Sequence, residues 1–201
     1  MTFIRLLLCA SFTLLAYPQD KQLAQDLKGS VVGDNVYVNA ALGMKITLPG
    51  TWELLPPEST PSHPPSDCDG PLCGNPEINL ILQTKPDSSP AYRVYLSGYK
   101  LSPQYLNRNR NPLGKFAEVM LAGSMGGSGL VPIGAQSLIQ LDGKPAYRLL
   151  AGKPGEIVPK IIGYVSEANG YVFMLVLAAR NSSPQALQSA IEATKFNTLA
   201  H

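Results

Sequence analysis

The sequence has few of the residues on which enzyme chemistry usually depends. Its 201 residues include two histidines, three cysteines and one tryptophan, and only 15% of them are charged. One histidine, His63, lies in a proline-rich stretch, and the other, His201, is the last residue. Neither place holds a side chain as firmly as nucleophilic catalysis requires. We therefore expect a protein that is not an enzyme, with no catalytic residue assigned and a hydrolase as the less favoured hypothesis.

The sequence also has no large excess of positive or of negative charge. The formal net charge is +2, and the densest basic stretch, "NRNRN" with Arg108 and Arg110, fits a solvated turn better than a phosphate site. This balance does not indicate nucleic acid or an anionic membrane surface as the main partner.

A long apolar run is also absent. The apolar run at residues 6–16 follows Arg5, and it is shorter than the about 20 residues that a membrane-spanning helix needs. A basic residue, a short apolar stretch and a small residue are typical of a secretory signal peptide, which we assign to residues 1–16. A lipid anchor at Cys9 is less favoured, because Leu8 stands where a small residue is expected. The sequence predicts an exported protein, periplasmic or secreted, without a transmembrane helix in the mature chain.

Removal of the signal peptide leaves two cysteines, Cys68 and Cys73, in the stretch "SDCDGPLCGN". In an oxidising compartment an even pair of thiols is usually a disulfide. A zinc site would need about four ligands, and a redox centre more often has two residues between its cysteines. We therefore favour a structural disulfide over a metal site or a redox centre. It would close one end of a proline-rich loop at residues 55–76, which is a candidate interface or lid.

Alternating apolar residues predict several strands of an antiparallel sheet. Met44, Ile46 and Leu48 define an early strand, and Ile78, Leu80 and Leu82 define a later one. In "AYRVYLSGYKL" the residues Tyr92, Val94 and Leu96 should face the core. Arg93, Tyr95 and Tyr99 fall on the opposite face, together with Ser97. They are a candidate interaction surface, because tyrosine supplies a large contact area at low entropy cost. The alternative is that a helix or a loop covers them.

The rest of the chain predicts two hairpins and three helices. Turns at Asp142-Gly143 and Asn169-Gly170 indicate the hairpins, and the run at residues 171–179 should be a central strand covered on both faces. One helix begins at Asn111-Pro112, another follows a cap at Ser102-Pro103, and a last helix has a capping box at Ser182 and Gln185. The glycine-rich residues 122–134 fit neither a nucleophile elbow nor a phosphate loop, and they predict a flexible connection.

Three segments together are similar to PsbP-like and DcrB-like domains: "YVNAALGMKITLPGTWEL", "LDGKPAYRLLAG" and "ANGYVFMLVLAARN" with the last helix. The resemblance covers about residues 36–197. It implies an α+β fold in which a twisted antiparallel sheet of about six strands carries helices on both faces, an α/β/α sandwich. On this basis residues 17–35 are an N-terminal tether, and residues 198–201 are a C-terminal tail.

Members of this family tend to bind other proteins and share no catalytic site. The resemblance therefore implies a non-enzymatic protein-binding or assembly module of the bacterial cell envelope, without a cofactor. Its partner would be another envelope protein. The alternative is a periplasmic protein that binds a small ligand or a metal. No functional residue of a family member can be transferred to this sequence.

Overall fold

The computed structural model describes residues 27–49, 52–59, 76–85, 91–100, 107, 110–125, 128–179 and 183–196. The strands in chain order are β1 (Ser30–Val32), β2 (Val36–Asn39), β3 (Met44–Thr47), β4 (Glu58–Ser59), β5 (Ile78–Gln83), β6 (Tyr92–Tyr99), β7 (Val131–Pro132), β8 (Ser137–Leu141), β9 (Lys144–Gly152), β10 (Ile161–Ala168), β11 (Tyr171–Ala179) and β12 (Lys195–Phe196). Helix α1 (Pro112–Met125) lies between β6 and β7, and helix α2 (Gln185–Glu192) lies between β11 and β12.

An eight-stranded sheet forms the centre of the protein. Its order is β4-β5-β6-β11-β10-β9-β7, with β8 paired to β9, and all of its pairings are antiparallel. Strand β11 lies between β6 and β10, and its residues from Tyr171 to Leu177 are all buried. The run is therefore a central strand, as predicted, and it is covered on both faces as far as Leu177, whereas Ala178 and Ala179 are half-buried.

A second, four-stranded sheet with the order β1-β2-β3-β12 covers one face of the large sheet. The two sheets share one core, to which Tyr37, Met44 and Ile46 contribute fully buried side chains. The ring of Phe196 on β12 packs against that of Phe173 on β11, with centroids 5.7 Å apart. We call the face of the large sheet toward this core the inner face, and the opposite one the outer face.

The antiparallel α+β architecture was correctly predicted, but the number of strands was wrong. The large sheet has eight strands instead of about six, and the small sheet, which was not predicted, forms much of the inner layer. Helix α1 packs on the outer face, where Phe116 and Ala117 are fully buried. Helix α2 joins the inner core through Leu187 and Ile191. The shortest strands could not be predicted, because a strand of two residues is too short to show the alternation of apolar and polar residues.

Both predicted hairpins are present. Asp142 and Gly143 join β8 to β9 with φ of 47° and 78°, and Asn169 and Gly170 join β10 to β11 with φ of 50° and 78°. Two consecutive residues at positive φ form a type I′ turn, whose twist matches that of the flanking strands. The sequence therefore determines these two registers locally.

The beginning of the described chain packs onto the small sheet. Leu27 and Lys28 are helical, and Gly29 follows them at a φ of 65°. The Tyr37 hydroxyl donates to the Lys28 carbonyl at 3.0 Å, and Asn39 Nδ2 donates to the Leu27 carbonyl at 2.9 Å. Buried side chains thus satisfy the last carbonyls of this helix. These residues and β1 lie within the segment that we interpret as a tether.

The helix ends differ in how well they match the sequence. Asn111 caps α1 as predicted, since its Oδ1 accepts from the Gly114 amide at 3.0 Å. Helix α1 continues to Met125, so the start of the glycine-rich segment is helical. Helix α2 has Pro184 as its N-cap without a side-chain cap, and Ser183 Oγ accepts from the Gln185 amide at 3.2 Å. Ser182, Ser102 and Pro103 lie outside the described residues.

The described residues of the proline-rich segment include one short strand. Glu58–Ser59 pairs with β5 at the edge of the large sheet, where proline-rich sequence is tolerated because only one side needs backbone partners. Cys68 and Cys73 lie outside the described residues, as do the predicted signal peptide and the C-terminal tail. The disulfide and the signal peptide stay predictions.

Candidate functional site

The outer face of the large sheet is only partly covered. Helix α1 buries Val165, Val172, Met174 and Val176 beneath Leu113 and Phe116. These residues belong to β10 and β11, whereas β5 and much of β6 lie beyond the helix. Among the described residues, the outer face therefore has a covered part under α1 and an open part over β5 and β6.

Strand register fixes which side chains share the open part. Gln83, Arg93 and Ala178 stand side by side on β5, β6 and β11. In the next row are Ile81, Tyr95 and Val176. Arg93 is exposed, and Tyr95 is 36% exposed. We call the group Gln83, Arg93, Tyr95 and Ala178 the Arg93 patch.

A cavity of about 580 Å³ lies at this patch. Its lining includes Gln83, Thr84, Arg93, Tyr95, Ala178 and Ala179. The Arg93 side chain forms no ion pair or hydrogen bond with any other described residue. A guanidinium carries five donors, and one that has no partner among the described residues is suited to bind a carboxylate or a carbonyl group from another molecule.

Buried contacts on the inner side hold the strands beneath the patch. The ring of Tyr92 stacks on that of Trp52, with centroids 4.3 Å apart and planes inclined by 24°. Thr84 Oγ1 accepts from the Tyr92 amide at 3.1 Å. Trp52 is thus a core anchor, and the patch lies over these buried contacts.

Tyr99 is separated from the other two predicted surface residues. Its ring meets that of Phe116 on α1 edge to face at 5.2 Å, and its side chain packs into the core of the covered part. Burial raises the pKa of Tyr99 above its usual value, although a hydrogen bond with Ser97 acts in the opposite direction. The structure thus brings Arg93 and Tyr95 together in the open part and places Tyr99 beneath the helix.

A polar cluster between β9, β10 and α2 has a structural role. Glu192 Oε1 accepts from Arg148 at 2.8 Å, from the Tyr164 hydroxyl at 3.1 Å and from Gln188 Nε2 at 2.9 Å. Burial, followed by the charge of Glu192, raises the pKa of the Tyr164 hydroxyl above its usual range. These contacts fasten α2 to the sheet.

Residues that could hold a metal do not cluster in the described part of the chain. Among those residues there is no group of three or more histidine, cysteine, aspartate or glutamate side chains placed to bind one ion. Both histidines and all three cysteines lie outside the described ranges, so the expected absence of a metal or cofactor site stays a prediction. Within the same ranges, no helix combines the length and the apolar character needed to cross a membrane.

Comparison with solved structures finds the predicted PsbP-like resemblance at the level of fold. The solution structure of cyanobacterial PsbP (CyanoP) from Synechocystis sp. PCC 6803 is similar with a TM-score of 0.49 and 9% sequence identity, over 83% of this chain and 94% of that one. A crystal structure from Bacteroides thetaiotaomicron VPI-5482 is similar with a TM-score of 0.40 and 8% identity, over 85% of this chain and 51% of that one. The chain thus spans about half of the second protein.

No family model matches the sequence. None of the curated proteins is significantly similar to it. The two structural matches concern the path of the chain and assign no role to a residue.

Sequence reasoning found Arg93 and Tyr95 but missed part of their surroundings. The position of Gln83 beside Arg93 depends on the register between β5 and β6, which the sequence alone does not give. Ala178 comes from a strand almost eighty positions later in the chain, and nothing local links it to this patch. The cavity is a product of tertiary structure that the alternation of residues alone does not indicate.

Proposed function

We propose that this protein is an exported, non-enzymatic module that binds another protein of the cell envelope through the Arg93 patch. The observation that carries the proposal is the open part of the outer face, where an exposed arginine, Arg93, and a partly exposed tyrosine, Tyr95, stand in adjacent rows on β6. Tyrosine and arginine are enriched among the residues that dominate protein interfaces.

The chemistry of the patch favours an extended segment with a carboxylate. The guanidinium of Arg93, which pairs with no other described residue, would bind the carboxylate, and the ring of Tyr95 would pack against an apolar side chain next to it. The strands beneath are held by the stacking of Trp52 on Tyr92, so binding would cost little conformational entropy.

The test is site-specific photocrosslinking of the tagged, exported protein in cells. A photoreactive phenylalanine replaces Tyr95 in one variant and Leu138 in the control, because Leu138 is also exposed but lies on the edge strand β8. We expect one envelope protein to be captured in stoichiometric amount from position 95 and not from position 138. Arg93→Glu should reduce this capture by roughly tenfold or more. Equal capture from both positions, or capture that ignores Arg93→Glu, would contradict the proposal.

The cavity supports a second candidate function, the binding of a small ligand. Its volume of about 580 Å³ lies within the range of roughly 300 to 1,000 Å³ that ligand sites occupy. A small carboxylate held by Arg93 would raise the thermal stability of the protein in proportion to the logarithm of its concentration. A screen of small carboxylates by thermal shift, with Arg93→Gln as the control, separates this function from protein binding.

A further inference from the structure

The loop at residues 153–160, between β9 and β10, has a defined conformation. The Glu156 amide donates to the Lys153 carbonyl at 3.0 Å, with Pro154 and Gly155 between them, and Gly155 has a φ of 83°. Proline followed by a residue at positive φ is typical of a type II turn. The Lys160 amide donates to the Ala151 carbonyl at 2.7 Å and closes the loop. These two hydrogen bonds therefore define the backbone conformation of the loop.

Two adjacent apolar side chains project from this loop into solvent. Ile157 is 87% exposed and Val158 is 46% exposed. A third exposed apolar residue, Val131 at 40%, pairs with Gly152 on β9. The Val158 carbonyl oxygen lies only 3.1 Å from the position of a β-carbon on Gly152. Val131 and the backbone of Val158 thus lie next to Gly152 at one end of the large sheet, and Ile157 directly precedes Val158. Three exposed apolar residues in this region are more than the single ones that any surface carries.

Lysines stand on both sides of the apolar pair. Lys153 precedes the turn and is exposed, and Lys160 ends the loop with 44% of its side chain exposed. Glu156 lies 3.7 Å from Lys160 and is the one acid in the loop. Strand register places Arg93 at the same end of the sheet, since Ala178 pairs with both Ile161 and Arg93. The local charge is therefore positive, although the chain as a whole is close to neutral.

We propose that the 153–160 loop docks on an anionic membrane surface. Ile157 and Val158 enter the boundary between the headgroups and the acyl chains, while Lys153 and Lys160 contact the lipid phosphates. An apolar tip between basic residues is the arrangement that favours interfacial binding to anionic lipid. A second copy of the chain fits less well, because a symmetric contact through this loop would bring the lysines of both copies together.

The experiment uses a tryptophan placed at the tip as a local reporter. Ile157→Trp in the full chain is compared with Leu138→Trp, a control at a position that is 60% exposed and lies away from the loop. The native Trp52 is 9% exposed, so it contributes a constant background. Emission is recorded with vesicles of phosphatidylcholine alone and of phosphatidylcholine mixed with phosphatidylglycerol, and with brominated lipids as quenchers. A reporter in the loop separates its insertion from any membrane binding by the apolar N-terminus.

We expect a blue shift and bromine quenching for Ile157→Trp on the anionic vesicles, and neither change for Leu138→Trp. Adding Lys153→Gln and Lys160→Gln should weaken the partitioning reported by the tip roughly tenfold to thirtyfold. An equal response on neutral vesicles, or no response on either, would overturn the proposal. A blue shift without vesicles that grows with protein concentration would also overturn it, in favour of contact between copies of the chain.

Discussion

The ring of Tyr99 meets the ring of Phe116 edge to face, with centroids 5.2 Å apart and planes at 64°. This contact marks the boundary between the covered and the open parts of the outer face. Tyr99 and Tyr95 stand on the same side of β6, four residues apart, yet one lies beneath α1 and the other is exposed. The helix therefore determines which members of one strand face can meet a partner.

Removal of the Phe116 ring should destabilise the protein severely. Phe116 is fully buried, and Phe116→Ala would leave a cavity between α1 and the sheet, at a cost of about 3–5 kcal/mol in the free energy of unfolding. Val119 lies on the same helix and is 43% exposed, so Val119→Ala should cost less than about 0.5 kcal/mol. Urea denaturation measures both values. Similar small losses in the two variants would show that α1 does not cover this face.

The strands and turns could be predicted because their signals are local. The alternation in β6 places Tyr92, Val94 and Leu96 on the inner face, and all three are buried. The turn at Asn169-Gly170 fixes the pairing of β10 with β11. In contrast, the small sheet joins β12, at the end of the described chain, to β3 near its beginning. No local pattern specifies such a pairing, which depends on the whole fold being in place.

Gly29 should be needed for the N-terminal residues to join the fold. It has a φ of 65°, and a β-carbon there would overlap the Val38 carbonyl oxygen and lie 2.9 Å from the Tyr37 hydroxyl. Gly29→Ala should therefore reduce the free energy of unfolding by about 2 kcal/mol or more.

Gly33 is the matched control for this substitution. It has a φ of 67°, but a β-carbon there would meet nothing within 4 Å, so Gly33→Ala should cost only roughly 1 kcal/mol from backbone strain. Denaturation curves of both variants give the comparison. Equal losses would indicate that residues 27–29 do not pack against Tyr37 and that this segment is a free tether.

Glu192 should contribute more to stability than an exposed glutamate does. Glu192→Ala removes the acceptor shared by Arg148, Tyr164 and Gln188, and leaves the Tyr164 hydroxyl without its partner. We expect a loss of about 1–3 kcal/mol. The control is Glu118→Ala, whose side chain is 67% exposed in its pair with Lys115 and should cost at most about 0.5 kcal/mol. If thermal denaturation shows no difference between the two variants, α2 is not fastened by this cluster.

The candidate site was only partly predictable for the same physical reason as the fold. Alternation along β6 identified Arg93 and Tyr95 as neighbours on one face, which requires only the period of a strand. Whether a helix covers that face depends on which strands α1 packs against. The apolar stripe of Phe116 and Met120 shows that α1 packs on the sheet, but it does not specify the strands. The exposed Ile157 carries no periodic signal at all, because it lies in a loop where an apolar residue has no expected orientation.

The stability of the protein should fall at acid pH through Asp142. Its carboxylate accepts from the Phe196 amide at 2.9 Å and from Lys195 Nζ at 3.1 Å, and so joins the β8–β9 turn to β12 of the small sheet. The hydrogen bond from Phe196 and then the one from Lys195 hold the pKa of Asp142 below its ordinary value of 3.8.

A carboxyl group whose pKa is lowered by folding binds its proton more readily in the unfolded chain. Its contribution to stability is therefore complete above the ordinary pKa of 3.8 and is lost as the pH falls through the lower, folded value.

Asp142→Asn should lower the stability at neutral pH and flatten its decline in this acid range, since the amide does not titrate. Asp34, an exposed aspartate at the β1–β2 turn, supplies the control, and Asp34→Asn should leave the contact between Asp142 and the Phe196 amide in place. Thermal melts across the acid range test this, together with the NMR shift of the Phe196 amide, which should titrate with Asp142. An acid decline that is the same with and without the Asp142 carboxylate would show that the contact between the turn and β12 does not persist in solution.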